Sequence, residues 1–367
     1  KKIKTQEYKE GLEEWIKDND FWVFDWALFN ILKNKFKNHE WFKWPDKYKF
    51  RNKTSLYILK QKNKNQIDEL IYEQYTFDKK WQMIKEKANS NGIRLFGDLP
   101  FYVAMDSADV WANPGLFDLD KNLEPVKIAG VPPDYFSTKG QIWENPIYNW
   151  KKHRQTKFKW WKERIKINEK RFDLLRIDHF RAIISGWCID YGSENAINGY
   201  WKRGPGKFLL EKILRIMPSE KIIAEDLGHI TNSVKRIIKK FNLKGMRVLQ
   251  FGYGENKRNE HHHKNIGQNT VCYIGTHDNN TAKGWFKEMK QKHQSKTFQS
   301  LIKEHEISES NCCKKMMKIG MNTNADYFIA TIQDIMNLNE TYRINVPGQN
   351  EGNWILSLKQ EDILSNI

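Results

Sequence analysis

The chain has 367 residues, of which 39% are hydrophobic and 13% aromatic, and its formal net charge is +17. This apolar content supports one large or two medium domains with a hydrophobic core, so we do not expect a disordered chain. No run of about 18 apolar residues occurs, which argues against a membrane-spanning helix. The lysines are scattered among Asn and Ile residues and form no compact basic stripe, so the charge does not predict a nucleic-acid partner.

The four cysteines, Cys188, Cys272, Cys312 and Cys313, predict reduced thiols. None of them has the C-x-x-C spacing of a zinc or redox site, and an adjacent pair is a poor start for a disulfide framework. We therefore expect a cytoplasmic protein. Because the chain starts with Lys1 and not with Met, a plastid or other targeting segment ahead of it remains an open alternative.

The N-terminal part of the chain is predicted to be helical, because apolar residues recur at three-to-four spacing from 4 to 87. After it, short apolar runs end in polar or charged residues, a pattern typical of buried parallel strands. The predicted strands are 93–96, 174–177, 222–224, 246–251 and 271–275, and the helices predicted between them include 160–172, 207–217 and 231–241.

This alternation of strands and helices predicts an α/β fold, a (β/α)8 barrel of the TIM type with long inserted loops and helical subdomains. Four of the predicted strands end in carboxylates, and barrel active sites are built at that rim. A doubly wound sheet is the alternative, but no Gly-rich phosphate turn is visible. We assign 1–92 to a mainly helical insertion and 93–367 to the barrel strands with the active site.

The connection at 101–150 is unusually long. Connections of this length in a compact domain tend to be functional or disordered. Its aromatic content argues against disorder and suits stacking on sugar rings. The aromatic residues are Tyr102, Trp111, Phe117, Tyr135, Phe136, Trp143 and Tyr148.

Three carboxylates that follow predicted strands, Asp178, Glu225 and Asp278, are candidate catalytic groups. Retaining glycoside chemistry needs one carboxylate to attack the anomeric carbon and one carboxylic acid, roughly 5 Å away, to protonate the leaving oxygen. Strand ends on one barrel rim meet this requirement regardless of sequence separation. Each motif taken singly has an alternative, non-catalytic interpretation. Arg-Ile-Asp at 176–178 is also typical of an ordinary ion pair at a strand end. Glu-Asp at 225–226 is also typical of a charge pair at a helix N-terminus.

The neighbours of these carboxylates suggest different roles for them. Arg176 and Arg181 flank Asp178, and a nearby cation favours the ionised carboxylate that a nucleophile needs. Glu225 follows an apolar run, where desolvation favours the protonated form of a general acid. This assignment is a hypothesis from local context.

Histidines provide further candidates. His179 and His277 each adjoin a candidate carboxylate, where they either bind a sugar hydroxyl or satisfy a backbone group. Three consecutive histidines occur at 261–263, but adjacent side chains point in different directions and no partner cluster accompanies them, so we expect no metal. A Ser-His-Asp hydrolase is not predicted either, since the G-x-S-x-G elbow is missing.

Long motifs in this chain are specific to one enzyme family. They are Gly-Asp-Leu-Pro at 97–100, Asp-Ser-Ala-Asp-Val-Trp-Ala at 106–112, Ala-Gly-Val-Pro-Pro-Asp-Tyr-Phe-Ser at 129–137, Gly-Gln-Ile-Trp at 140–143, Arg-Ile-Asp-His-Phe-Arg at 176–181, Ala-Glu-Asp-Leu-Gly at 224–228, Gly-Thr-His-Asp-Asn at 275–279, Asn-Val-Pro-Gly at 345–348 and Gly-Asn-Trp at 352–354. In these motifs the sequence resembles the amylomaltase or disproportionating-enzyme family, the 4-α-glucanotransferases of glycoside hydrolase family 77. The resemblance covers the chain from about residue 20 onwards.

The resemblance implies that Asp178 is the nucleophile, Glu225 the general acid/base and Asp278 the carboxylate that stabilises the transition state. The substrate-binding residues that it implies are Asp98, Tyr135, Phe136, Trp143, Arg176, His277 and Asn279. It also implies that the loop region at 101–150 covers the glucan. Family members need no metal or organic cofactor. The implied substrates are α-1,4-glucans and maltooligosaccharides.

The sequence departs from the family at its start. Family members begin with a segment that supplies the first two barrel strands and an aromatic part of the sugar site, and we do not find its motifs here. We therefore expect a fragment or incomplete gene model whose barrel lacks its first two strands. The predicted activity is retaining transfer of a glucan segment to the 4-hydroxyl of an acceptor. An α-glucan hydrolase with the same carboxylates and a truncated, non-catalytic glucan-binding protein are the alternatives.

Overall fold

The computed structural model describes residues 6–133, 137–292, 295–349 and 351–364. The chain divides into two compact units, Lys1–Lys221 and Ile222–Ile367. Among the described residues, no helix combines the length and the apolar character needed to cross a membrane.

The first unit begins with helices and continues with strands and helices. Its described α-helices are Gln6–Asn19 (α1), Val23–Lys35 (α2), Asp46–Lys49 (α3), Lys53–Lys62 (α4), Lys64–Ser90 (α5), Ala108–Ala112 (α6), Trp150–Gln155 (α7), Lys159–Arg171 (α8) and Lys207–Leu214 (α9). Its described strands are Phe96–Leu99 (β1), Lys127–Val131 (β2), Gln141–Pro146 (β3), Leu174–Ile177 (β4), Ser185–Asp190 (β5) and Tyr200–Arg203 (β6). Helices α1 to α5 account for the helical pattern of the N-terminal residues.

Buried tryptophans anchor the N-terminal helices of the first unit. Trp41 and Trp111 are completely buried. The indole N–H of Trp41 donates to the Met105 carbonyl at 2.6 Å, and that of Trp111 donates to the Tyr48 carbonyl at 2.9 Å. A buried indole needs such a partner, because an unsatisfied donor in an apolar core is costly. The motif at 106–112 therefore fixes the segment after β1 against the helices.

Strands β1 and β4 pair in parallel, with Asp98 opposite Arg176. Every residue of β4 is buried, as the apolar run predicts. Gly97 is required in β1 because a Cβ there would lie 2.3 Å from the ring of Phe172. The backbone N–H of Asp178 donates to the last carbonyl of β1 at 3.0 Å, so the pairing continues to the strand ends.

Residues 101–150, treated as a loop in the sequence analysis, contain β2, β3 and α6 and the start of α7. The two strands belong to a four-stranded antiparallel sheet in the order β3-β2-β5-β6. Gly130 allows β2 and β3 to approach closely, since a Cβ there would lie 2.1 Å from the Gln141 carbonyl oxygen. This sheet is the platform that carries Trp143, in β3.

The second unit contains a small parallel sheet and further helices. Its described strands are Ile222–Ala224 (β7), Gly245–Val248 (β8), Thr270–Tyr273 (β9) and Tyr327–Ile329 (β10), and its described α-helices are Asn232–Lys240 (α10), Ala282–Lys292 (α11), Lys296–His305 (α12), Cys312–Met321 (α13), Ile332–Ile335 (α14) and Gln360–Leu364 (α15). Strands β8, β9 and β10 pair in parallel with β9 in the centre. The core behind this sheet is formed by α11 to α13, with Phe286, Phe298 and Met316 buried.

The sheets refine the predicted fold class. Parallel strands alternate with helices, which confirms a mixed α/β fold. The described strands form three sheets, and none of these closes into a barrel within the described residues. The antiparallel strand pairs between β1 and α9 were not predicted from the sequence, because their apolar runs are short and interrupted by glycine and proline.

Substituting Gly245 by Ala is expected to destabilise the protein by about 2 kcal/mol, because overpacking a buried site costs about 1–3 kcal/mol. A Cβ at Gly245 would lie 2.7 Å from Oδ2 of Asp226. That carboxylate is held in place by the Met246 N–H at 2.7 Å and Arg247 at 3.0 Å. Urea unfolding measures the loss, and Gly267→Ala is the matched control because its Cβ meets no neighbour within 4 Å. Equal urea midpoints for Gly245→Ala and Gly267→Ala would contradict the close approach of Asp226 to Gly245.

Candidate active site

Arg176 joins two of the predicted site residues in the first unit. Its Nε donates to Oδ1 of Asp98 at 3.0 Å, and its Nη2 donates to Oδ2 of the same carboxylate at 2.7 Å. The same Nη2 lies 3.1 Å from Oδ1 of Asp178. The Arg176 side chain is 9% exposed, whereas the side chains of Asp98 and Asp178 are 46% and 42% exposed. A buried cation thus orients two carboxylates that face accessible space.

His179 has a strained backbone next to Asp178. Its φ is +48°, a left-handed conformation that is uncommon for residues other than glycine and clusters at functional sites. The ring is buried. Burial, together with the charge of Arg181, lowers the pKa of His179 to about 3, so the imidazole is neutral. Trp143 contacts this ring edge to face, with 4.7 Å between the centroids.

Arg181 stabilises the turn after Asp178. It is buried, and its guanidinium lies 3.6 Å from the ring centroid of Trp201. Because Trp201 is partly exposed, a cation–π contact of this kind contributes about 1 kcal/mol. The Asp178 turn is therefore fixed by packing as well as by hydrogen bonds.

Glu225 and Asp226 have different environments in the second unit, although they are adjacent. Oε1 of Glu225 accepts the Leu227 N–H at 2.7 Å, and the side chain is half-buried. Asp226 is buried and pairs with Arg247 at 3.0 Å. Burial raises the pKa of Asp226, and the Arg247 guanidinium counteracts part of that effect. Of the two adjacent acids, Asp226 is therefore the one that forms a structural ion pair, with Arg247.

The alternative interpretation of these two acids as a helix N-terminal charge pair is wrong. The next helix, α10, begins at Asn232, several residues beyond them. Electrostatic stabilisation by a helix dipole falls off within the first turn. Glu225 instead follows the end of β7 directly.

Asp278 is held by hydrogen bonds from residues 343–345, near the C-terminal end of the second unit. Asn345 Nδ2 donates to Oδ1 of Asp278 at 2.6 Å, and Arg343 donates to its backbone carbonyl at 2.6 Å. Oδ2 lies 3.5 Å from Nε2 of His277. Asn279 closes the same turn, since its Oδ1 accepts both the N–H and the hydroxyl of Thr276, at 2.8 and 2.9 Å.

The comparisons with known proteins agree with one another. A family model described as 4-alpha-glucanotransferase matches residues 1–361. The 4-alpha-glucanotransferase of Aquifex aeolicus is 38% identical over 352 residues, which are 96% of this chain and 72% of that protein. The 4-alpha-glucanotransferase of Clostridium butyricum is 38% identical over 346 residues, 94% of this chain and 71% of that protein. This chain belongs to the 4-alpha-glucanotransferase family.

The fold leads to the same family. The structure of the amylomaltase of Streptococcus agalactiae in complex with acarbose matches with a TM-score of 0.91 at 33% sequence identity, over 98% of this chain and 72% of that chain. The motif resemblance found in the sequence is thereby confirmed. The α/β fold of this family member is that of an amylomaltase.

The predicted site residues of this family member fall in both units. Asp98, Trp143, Arg176 and Asp178 lie in the first unit, and Glu225, His277, Asp278 and Asn279 lie in the second. Asp98, Arg176 and Asp178 form one hydrogen-bonded group. Nε2 of His277 and Oδ2 of Asp278 lie 3.5 Å apart. Tyr135 and Phe136 lie outside the described residues, and the roles of all these residues stay predictions.

Three residues around Asp278 and His277 were missed as site residues by the sequence analysis. Arg343 and Asn345 hold Asp278 through hydrogen bonds. The ring of the exposed Trp354 lies 5.3 Å from the ring of His277, measured between centroids. Asn345 and Trp354 belong to the C-terminal motifs that carried the resemblance, so a signal was present. Their roles depend on contacts with residues more than sixty positions earlier, which no local pattern reveals.

Proposed function

We propose that this chain is a 4-α-glucanotransferase that moves a segment of an α-1,4-glucan to the 4-hydroxyl of an acceptor glucan or glucose. Family membership across residues 1–361 supports the activity. The observation that carries the chemistry is the Arg176 guanidinium, which holds Asp178 at 3.1 Å and Asp98 at 2.7 Å. An ionised, oriented carboxylate is what a retaining nucleophile requires.

In the first step of the proposed mechanism, Asp178 attacks the anomeric carbon and forms a covalent glycosyl-enzyme. The bond to the leaving 4-oxygen breaks, and Glu225 gives that oxygen a proton. Asp278 stabilises the positive charge that develops on the sugar in the transition state. The bond from Asn345 to Asp278, 2.6 Å long, supports this role because it fixes the carboxylate before the charge develops.

In the second step, the 4-hydroxyl of an acceptor glucan attacks the glycosyl-enzyme. Glu225 removes the proton from that hydroxyl as the new bond forms and the bond to Asp178 breaks. Two inversions at the anomeric carbon restore the α-configuration. Transfer exceeds hydrolysis when the acceptor binds well and water is poorly placed.

Sugar binding is proposed for residues beside the carboxylates. Asp98 and His277 offer hydrogen-bond partners, and Trp143 and Trp354 offer aromatic faces. The side chain of Trp354 is exposed, and His277 lies against it. The Streptococcus agalactiae relative was solved with acarbose, which supports an oligosaccharide as ligand.

The finer fold and the location of the protein are proposed as well. We propose that the strands belong to a barrel of the (β/α)8 type, an assignment supported by Asp178 and Glu225 directly after parallel strand ends. A cytoplasmic location is supported by four buried cysteines that are all free thiols.

The activity is tested by incubating the purified chain with maltotriose and separating the products by chromatography. We expect a ladder of shorter and longer maltooligosaccharides, since each transfer shortens one molecule and lengthens another. Glucose and maltose without longer products would point to hydrolysis. A folded protein that binds maltotriose without converting it would contradict the proposed activity for this chain.

A further inference from the structure

A second cluster of potential ligand groups lies in the second unit, among residues that have no role in the proposed mechanism. His263 begins the 3-10 turn His263–Asn265, and Glu304 and His305 end helix α12. One ligand atom from each of the three side chains lies within 4.8 Å of the other two. The cluster lines a pocket of about 240 Å³.

The hydrogen bonds around His263 prepare it as a ligand. The hydroxyl of the buried Tyr253 lies 3.1 Å from Nδ1 of His263. A histidine that binds a metal through one ring nitrogen almost always holds the other in a hydrogen bond, which fixes the orientation of the ring. The Tyr253 hydroxyl supplies that partner.

His305 and Glu304 each present an atom that the surrounding structure does not use. Nε2 of His305 is buried and has no hydrogen-bond partner among the described residues, and such a group in a native protein requires an explanation. Glu304 accepts a bond from Lys264 through Oε2 at 2.7 Å. Its other oxygen, Oε1, lies 3.9 Å from Nε2 of His305.

We propose that His263, Glu304 and His305 bind one divalent transition-metal ion, with Zn²⁺ as the expected occupant and water as the fourth ligand. Two histidines and one glutamate are an established zinc ligand set. Ligand atoms about 2.0–2.2 Å from a tetrahedral ion lie about 3.3 Å from one another, so binding draws the three groups together by about 1.5 Å at most. Side-chain rotations at the exposed Glu304 accommodate that change.

An anion is the competing occupant, because Lys315 and Lys318 also line the pocket. Lys315, however, faces the Glu306 carboxylate at 4.0 Å, and Lys264 is paired with Glu304. The C-terminal end of α12 adds the negative end of a helix dipole, which favours a cation. The buried, unpartnered histidine nitrogen also favours a metal over an anion.

The proposed site has no part in glucan transfer. No metal is predicted from the sequence at the histidine run 261–263, since no partner cluster accompanies it along the chain. The fold supplies the partners from the end of α12. An ion there links the turn at His263 to the helix, so its binding free energy adds to the stability of the folded protein.

The test uses the whole chain, freed of metal with a chelator and titrated with ZnCl2 in a calorimeter. We expect one ion per chain. At free Zn²⁺ about 100-fold above the dissociation constant, the thermal midpoint is expected to rise by about 3.5 °C. MgCl2 at the same concentration is expected to leave it unchanged, because Mg²⁺ prefers oxygen ligands. A rise with inorganic phosphate and none with Zn²⁺ would overturn the proposal in favour of an anion site.

Variants identify the ligands. His305→Gln and Glu304→Gln are each expected to weaken Zn²⁺ binding at least about 100-fold, and Tyr253→Phe about tenfold, as for other groups that orient a ligand. His229→Gln is the control, because this exposed histidine of the same unit is outside the cluster. The metal-free thermal midpoints show whether each variant is folded, and Glu304→Gln changes an exposed side chain. Unchanged Zn²⁺ affinity in folded His305→Gln and Glu304→Gln proteins would refute the site.

Discussion

Asp178→Asn is expected to lower the rate of transfer between maltotriose molecules by at least about 10⁴-fold, as is typical when the nucleophile of a covalent mechanism is removed. The amide oxygen of Asn still accepts the bond from Arg176, which spans 3.1 Å to Oδ1 of Asp178. The nitrogen and the loss of charge, however, abolish attack on the anomeric carbon. The rate is measured from the initial appearance of maltotetraose and longer products.

The structure offers a matched control for this substitution. Asp190, at the end of β5, is an exposed aspartate in the same unit, and Asp190→Asn is expected to keep the full transfer rate. Urea unfolding of both variants separates a catalytic loss from a folding defect. A folded Asp178→Asn protein that transfers within about tenfold of the unchanged chain contradicts the nucleophile assignment.

The strand positions were largely predictable because apolar runs bounded by polar residues identify buried strands. The predicted strands at 174–177 and 222–224 match β4 and β7. The prediction at 93–96 missed β1, Phe96–Leu99, by about three residues. Gly97 was interpreted as a strand end, whereas in the fold it is the residue that makes room for the Phe172 ring.

The sequence allowed individual candidate residues of the site to be predicted, but not the contacts between them. Carboxylates after strands identified Asp178, Glu225 and Asp278 as candidates. The bonds that hold Asp278 come from Arg343 and Asn345, and the group around His263 comes from a helix end some forty residues later. Such contacts are determined by how distant segments pack, and neither periodicity nor local charge contains that information.

The two adjacent acids at 225–226 show how structure separates roles that sequence leaves open. Asp226 is buried against Arg247 and the Met246 N–H, so removing its charge affects folding. Glu225 is half-buried and accepts one backbone bond, from Leu227. A general acid/base must exchange a proton with substrate, which suits the more accessible group.

Glu225→Gln is accordingly expected to lower transfer from maltotriose by about 10³-fold, within the range that general acid–base catalysis contributes. With a maltosyl fluoride donor the first step should proceed within about tenfold of the unchanged rate, because fluoride leaves without needing a proton. The glycosyl-enzyme then accumulates, since no base activates the acceptor hydroxyl. Mass spectrometry of the intact protein detects it as a covalent adduct.

Azide distinguishes this role of Glu225 from a purely structural one. As an anionic nucleophile it needs no base, so it should attack the accumulated glycosyl-enzyme of the Glu225→Gln variant and restore turnover. The product is expected to be the α-glycosyl azide, because the second displacement inverts the centre that Asp178 had already inverted. The exposed Glu255 lies in the same unit, and Glu255→Gln should need no azide. Two results would show that Glu225 is not the acid/base. One is no rescue by azide in a folded Glu225→Gln protein, and the other is that maltosyl fluoride reacts as slowly as maltotriose. Either result means that the barrier does not lie in proton transfer.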